Sequence, residues 1–82
     1  MSTSQRVPHD TPIECTSAAA WERWLKRHHA TAAGVWIRMA KKASGIASID
    51  HPAALEVALC YGWIDGQRKG DGEQHFLQRF TP

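Results

Sequence analysis

A change of period between residues 21 and 40 limits the fold more than any other feature. Trp21, Trp24, Leu25 and His28 stand at i, i+3, i+4 and i+7, which collects them on one face of an α-helix. Glu22, Arg23, Lys26 and Arg27 fall on the other side, with Glu22 and Lys26 spaced for an i,i+4 ion pair. Val35, Ile37 and Met39 then alternate with Trp36, Arg38 and Ala40, the pattern of a β-strand with two unlike faces. A striped helix and a one-sided strand, joined through Thr31–Gly34, bury their apolar surfaces best against each other. An all-helical or all-strand architecture would break one of the two patterns.

The second half repeats the alternation of elements. Asp50 is placed to cap a helix, with Pro52 in the first turn, where its missing N–H costs little. The run Ala53 to Gly62 is apolar nearly all round, Glu56 being its one charged residue, so the expectation is a buried helix. Gly62 suits the left-handed residue that ends such a helix. Two short runs, Trp63 to Lys69 and Gln74 to Phe80, then flank Gly70-Asp71-Gly72 and read as a β-hairpin. Thr16 or Ser17 can cap the first helix. Pro12 to Cys15 can form a short strand. The expected fold class is α+β: a small mixed or antiparallel sheet of three to four strands with two helices packed on one face.

The chain has 82 residues, enough for one domain. Residues 1–11 are polar and read as a flexible lead-in, leaving 12–82 as the domain. Four Trp, two Phe and one Tyr help so short a chain bury enough surface. A formal net charge of +2 is far below that of a dedicated nucleic-acid binder. Cys15 and Cys60 have no metal-type spacing and read as reduced thiols of a cytoplasmic protein. No apolar run is long enough to span a bilayer, and the N-terminus lacks the apolar core of a signal peptide.

Candidate chemistry gathers around Trp63-Ile64-Asp65-Gly66. Asp65 can brace a turn, bind a ligand or act as a general base, with Gly66 supplying a positive φ in the first case. The sequence places neither a His nor a second carboxylate beside it. His28 and His29 point about 100° apart on a helix, and no spaced His or Cys set suggests a zinc site. Cys60 lies at the negative end of its helix, which disfavours a thiolate. The cations Lys26, Arg27, Arg38, Lys41, Lys42, Arg68, Lys69 and Arg79 are scattered. If the strands pair as expected, Arg38, Lys41, Lys42, Arg68 and Lys69 converge around the sheet ends near Trp36, Trp63 or Phe76, a mixture suited to phosphates and stacked bases. No glycine-rich phosphate loop or other cofactor motif is present.

Four segments carry a resemblance: Trp21 to Leu25 (WERWL), Gly34 to Lys42 (GVWIRMAKK), Ala54 to Gly66 (ALEVALCYGWIDG) and Phe80 to Pro82 (FTP). Together they resemble the N-terminal part of the YdeI/OmpD-associated, or bacteriocin-protection, proteins. The family's sequences continue past the FTP segment, so the resemblance implies a chain shortened at its C-terminal end. It also implies an uncharacterised bacterial cytoplasmic protein linked to stress or to resistance against antimicrobial peptides and bacteriocins. It implies no reaction and no catalytic residue.

The expectation is a non-enzymatic binding module that takes a protein or an anionic ligand, without a cofactor. Its surface would group Trp63, Asp65, Gln67 and Arg68 with Lys41, Lys42, Arg79 and Thr81. Trp63 would supply rigid contact area, Asp65 and Gln67 hydrogen bonds, and the cations attraction for anions. Two alternatives stand beside it: a nucleic-acid or anionic-ligand binding domain, and an enzyme using Asp65.

Overall fold

The computed structural model describes residues 11–82. They run in the order β1 (Ile13–Glu14), α1 (Ala18–His28), β2 (Val35–Ala40), α2 (His51–Cys60), β3 (Ile64–Asp71) and β4 (His75–Thr81). A 3₁₀ turn over Lys42–Ser44 lies between β2 and α2. The expected lead-in lies, apart from Thr11, outside the described residues.

The four strands form one mixed sheet in the order β1-β2-β4-β3, with β1 parallel to β2 and the other pairs antiparallel. The two helices cover one face, giving the α+β class read from the sequence. Val35, Ile37 and Met39 point into that face and are fully buried, as their alternation requires. Trp36, Arg38 and Ala40 occupy the uncovered face and are half-buried.

Helix α1 starts where Ser17 Oγ accepts a hydrogen bond from Ala20 N at 3.2 Å, which satisfies one orphan amide of the first turn. Its stripe buries Trp21 and Leu25 completely. Trp21 stacks on Trp24 (centroids 5.6 Å apart) and tilts against Phe80 (5.3 Å). Trp21 Nε1 also donates to Ala54 O at 2.9 Å, which ties α1 to α2 while satisfying the indole N–H. Trp21→Ala would cost about 3–5 kcal/mol. In place of the expected pair with Lys26, Glu22 accepts from the Tyr61 hydroxyl at 3.3 Å.

Helix α2 is less buried than its composition suggests. Asp50 caps it as expected, accepting from Ala53 N at 2.9 Å. Only Ala54 and Ala58 are buried, whereas Leu59 is 56 % exposed and Cys60 is exposed. The two alanines form an i,i+4 strip that lets the helix approach Trp21 closely, so its larger apolar side chains lie to the sides. Gly62, at φ 73°, ends the helix. Gly62 N donates to Leu59 O and Trp63 N to Ala58 O, the paired closing bonds of a left-handed C-cap.

Strands β3 and β4 form the expected hairpin. Its turn is Gly72–Gln74, shifted past the Gly-Asp-Gly segment, with Gly72 at φ 81°. The pairing is interrupted once: Asp65 faces Phe80 and Arg68 faces Gln78, so Gly66 and Gln67 together oppose Arg79. This β-bulge inserts one residue and puts Asp65 and Arg68 on the same face of the strand. Gly66 is not among the glycines of positive φ, which corrects the turn expected there.

Candidate functional site

The hairpin, the end of β2 and the 3₁₀ turn border an open concavity of about 490 Å³, lined by Lys41, Lys42, Arg68, Lys69, Gly70 and Phe76. That volume lies within the range of small-molecule sites. Four of the six lining residues are cationic and none is acidic.

Each cation is placed by local structure. Lys41 N donates to Gln74 O at 2.8 Å, fastening the end of β2 to the hairpin turn. Ser44 Oγ and Ser44 N both donate to Lys41 O, at 2.7 and 3.0 Å, which closes the turn that carries Lys42. Gly45, at φ 71°, ends that turn. Arg68 is positioned from beneath. Its Nε donates to Gln78 Oε1 at 3.0 Å, and its guanidinium carbon lies 4.3 Å from the Phe76 ring centroid. Both terminal nitrogens keep donor capacity beyond that bond.

Gln78 is only 2 % exposed and the one buried polar residue among those described. Its Nε2 donates to Gly66 O at 3.0 Å, Gln67 O at 3.2 Å and Arg79 O at 3.3 Å. Carbonyls can only accept, so this set fixes which end of the amide faces Arg68. The bulge therefore does two jobs. It presents its carbonyls to Gln78, and it turns Arg68 toward the concavity.

The eight residues expected to form one surface are divided by the structure. Lys41, Lys42 and Arg68 line the concavity. Arg79 and Thr81 belong to the uncovered sheet face, where a Cβ at Gly34 would lie 2.6 Å from Arg79 Nη2. Gln67 is exposed in the bulge. Trp63 is only 1 % exposed and packs edge-on against Trp24, with centroids 5.9 Å apart. It cannot supply the external contact area expected of it, because the left-handed cap at Gly62 folds it back into the core.

Asp65 has the partner that the sequence did not place beside it. His51, the first residue of α2, donates from Nε2 to Asp65 Oδ2 at 2.8 Å, and both side chains are about 30 % exposed. The bond clamps the start of α2 to the start of β3. A carboxylate holding an imidazole can orient a general base, yet neither residue lines the basic concavity. The cue available in the sequence was the position of His51 beside Asp50: the cap fixes the helix start, and the helix length then returns the chain to Asp65. Lys69, expected to converge with Lys41, Lys42 and Arg68 though not counted in the binding surface itself, lines the concavity, whereas Arg38, expected with them, does not.

On the uncovered face, Arg38 is neutralised by Glu14 (Nη1 to Oε2, 2.8 Å) and by Asp71. Donating hydrogen bonds to Asp71 and, with smaller effect, to Glu14 holds the guanidinium even more firmly protonated than usual. Cys15 is buried, and desolvation pushes its thiol up to about 11 despite the opposing charge of Arg23. No group of three or more His, Cys, Asp or Glu side chains is arranged for a metal among the described residues. None of their helices is long and apolar enough to cross a membrane.

The sequence model of one family, described as a domain of unknown function (DUF8412), matches residues 13–82. The chain belongs to that family. Nothing matches it among curated proteins or among solved structures. The DUF8412 match spans β1 through β4, so it takes in every element that builds the basic concavity and the His51–Asp65 clamp.

Proposed function

We propose that this DUF8412 domain is a non-enzymatic binding module for a phosphate-bearing or similarly anionic ligand. One observation carries the reading: Lys41, Lys42, Arg68 and Lys69 converge on one concavity without an acidic lining residue, and a buried glutamine aims the arginine. Arg68 offers a planar set of donors to an oxyanion, and the lysines add mobile point charges. Phe76 adds an apolar wall for a ring or chain attached to the anion. The resemblance to the YdeI/OmpD-associated proteins would assign such a module to bacterial stress or to defence against antimicrobial peptides and bacteriocins.

The direct test is a ¹H–¹⁵N titration with inorganic pyrophosphate. The amides of Lys41, Lys42 and Arg68 to Gly70 should shift together, and Arg68→Gln should weaken the response at least tenfold. Shifts confined to other surfaces, or none at millimolar ligand, would count against the concavity as the site.

A further inference from the structure

The concavity does not end at its rim. Lys69 lines it and also reaches the uncovered sheet face, where its Nζ lies 4.5 Å from the centroid of the Trp36 ring. Arg79 approaches the same ring, its guanidinium carbon 5.7 Å from the centroid. In the sheet register Trp36 faces Arg79, and Lys69 faces Leu77, two residues earlier on the same strand. Two residues of strand advance about 7 Å, comparable with one nucleotide of an extended strand. A basic track thus runs from Lys41, Lys42 and Arg68 beside Phe76 on the helix side, round the edge strand β3 at Lys69, to Arg79 beside Trp36 on the uncovered face.

Among the described residues no carboxylate neutralises this track. The described residues form ion pairs only at Arg38–Glu14, Arg38–Asp71 and His51–Asp65, so none of the five track cations meets a carboxylate. Arg38 shares the face but is already neutralised, and it bounds the track on the side of β1. Trp36 is half-buried, and Lys69 and Arg79, both reaching over its ring from the β4–β3 side, are flexible enough to yield to a base and meet its phosphate. That arrangement favours stacking against a planar base over insertion into a lipid layer. In a duplex the base faces are already stacked, whereas single strands present theirs.

We infer that the ligand is a single-stranded nucleic acid whose backbone follows Lys41, Lys42, Arg68, Lys69 and Arg79 while a base stacks at Trp36. This rests on the anion-binding reading of the concavity and extends it round the edge strand β3 to the other face of the sheet.

The test compares four probes in one buffer: a labelled single strand of about ten nucleotides, its duplex, inorganic pyrophosphate, and phosphatidylcholine–phosphatidylglycerol vesicles. The single strand should bind at least tenfold tighter than pyrophosphate and tighter than the duplex. Its log affinity should fall with log salt at a slope of roughly −3.5, for five neutralised phosphates. Trp36→Leu, checked for native circular dichroism, should weaken the single strand roughly five- to hundredfold and leave pyrophosphate unchanged. If that variant does not fold, Arg79→Gln serves instead and should lower the slope by about 0.7. A single strand that binds no tighter than pyrophosphate, a folded Trp36→Leu of unchanged affinity, an Arg79→Gln of unchanged slope, or preferential binding to vesicles overturns the inference and leaves the concavity reading standing. Loss of pyrophosphate binding as well would remove both.

Discussion

Arg68 Nε donates to Gln78 Oε1 at 3.0 Å, so an exposed cation of the candidate site rests on the one buried polar side chain among the described residues. The two residues should therefore respond differently to substitution. Arg68→Gln removes a charge from a surface concavity but keeps an amide that can donate to Gln78 Oε1, so it should lower pyrophosphate affinity at a stability cost of no more than about 1 kcal/mol. Gln78→Leu keeps the volume but strands the carbonyls of Gly66 and Gln67, and should cost about 1–3 kcal/mol. It should also weaken pyrophosphate binding, because Arg68 loses its support. Urea melts together with the titration separate the two effects.

His51 and Asp65 provide a second contrast. As a clamp between α2 and β3, the pair should contribute on the order of 1 kcal/mol, its partial exposure keeping the figure modest. His51→Ala and Asp65→Asn should each lower the urea midpoint, and their double-mutant cycle should show coupling of at least 0.5 kcal/mol, roughly. Pyrophosphate binding should be unchanged in both. Full additivity would mean that the bond contributes nothing. A loss of binding without a loss of stability would shift attention to Asp65 as a ligand or chemical group, the enzyme alternative.

How much of this was legible in the sequence depends on the range of the interaction. The period change at residues 21–40, the Asp50 cap and Gly62 act over a few residues, and each led to the right element. Helix α2 looked buried because composition alone counts apolar side chains, not the alanine strip that decides which of them touch Trp21. Trp63 looked like a contact residue because a cap that folds the chain inward cannot be told from one that leads it out. The partition of Arg68 from Lys69 depends on a bulge set by Gln78, ten residues along the chain from Arg68. Such side chain–backbone bonds leave no periodic trace. The pairing of Asp65 with His51 was hidden for the same reason, since it spans fourteen residues and a helix.

Gly34 should be intolerant of a side chain for a specific reason. A Cβ there would lie 2.6 Å from Arg79 Nη2 and 3.0 Å from Thr81 Cγ2. The guanidinium is the flexible end of its side chain, so it should move rather than the strand. Gly34→Ala should cost about 1 kcal/mol and displace Arg79 from the Trp36 ring. If Arg79 contributes to the basic track from that position, Gly34→Ala and Arg79→Gln should lower single-strand affinity by similar factors. A Gly34→Ala variant that binds normally would show that Arg79 works from elsewhere or not at all.

The two cysteines make the last prediction, which concerns alkaline pH. Cys60 is exposed and Cys15 is buried, so a thiol reagent should modify Cys60 in the native protein and reach Cys15 only after denaturation. Burial holds the Cys15 proton in the folded state up to about pH 11, whereas an unfolded thiol releases it near the ordinary value of 9.0. Between those values the unfolded chain binds fewer protons than the native one, so stability falls as pH rises. Its contribution is complete below pH 9.0 and is lost progressively toward 11. Tyr61 acts in the same direction: desolvation, followed by the nearby Glu22 carboxylate, raises its phenol as well. Unfolding free energies from urea melts across this window should therefore decline, by at most about 1.4 kcal/mol per pH unit for Cys15. Cys15→Ala should flatten the decline, with Tyr61→Phe accounting for part of the remainder. An unchanged slope in Cys15→Ala would show that the native thiol ionises as easily as the unfolded one, and that Cys15 is not shielded by the core it occupies.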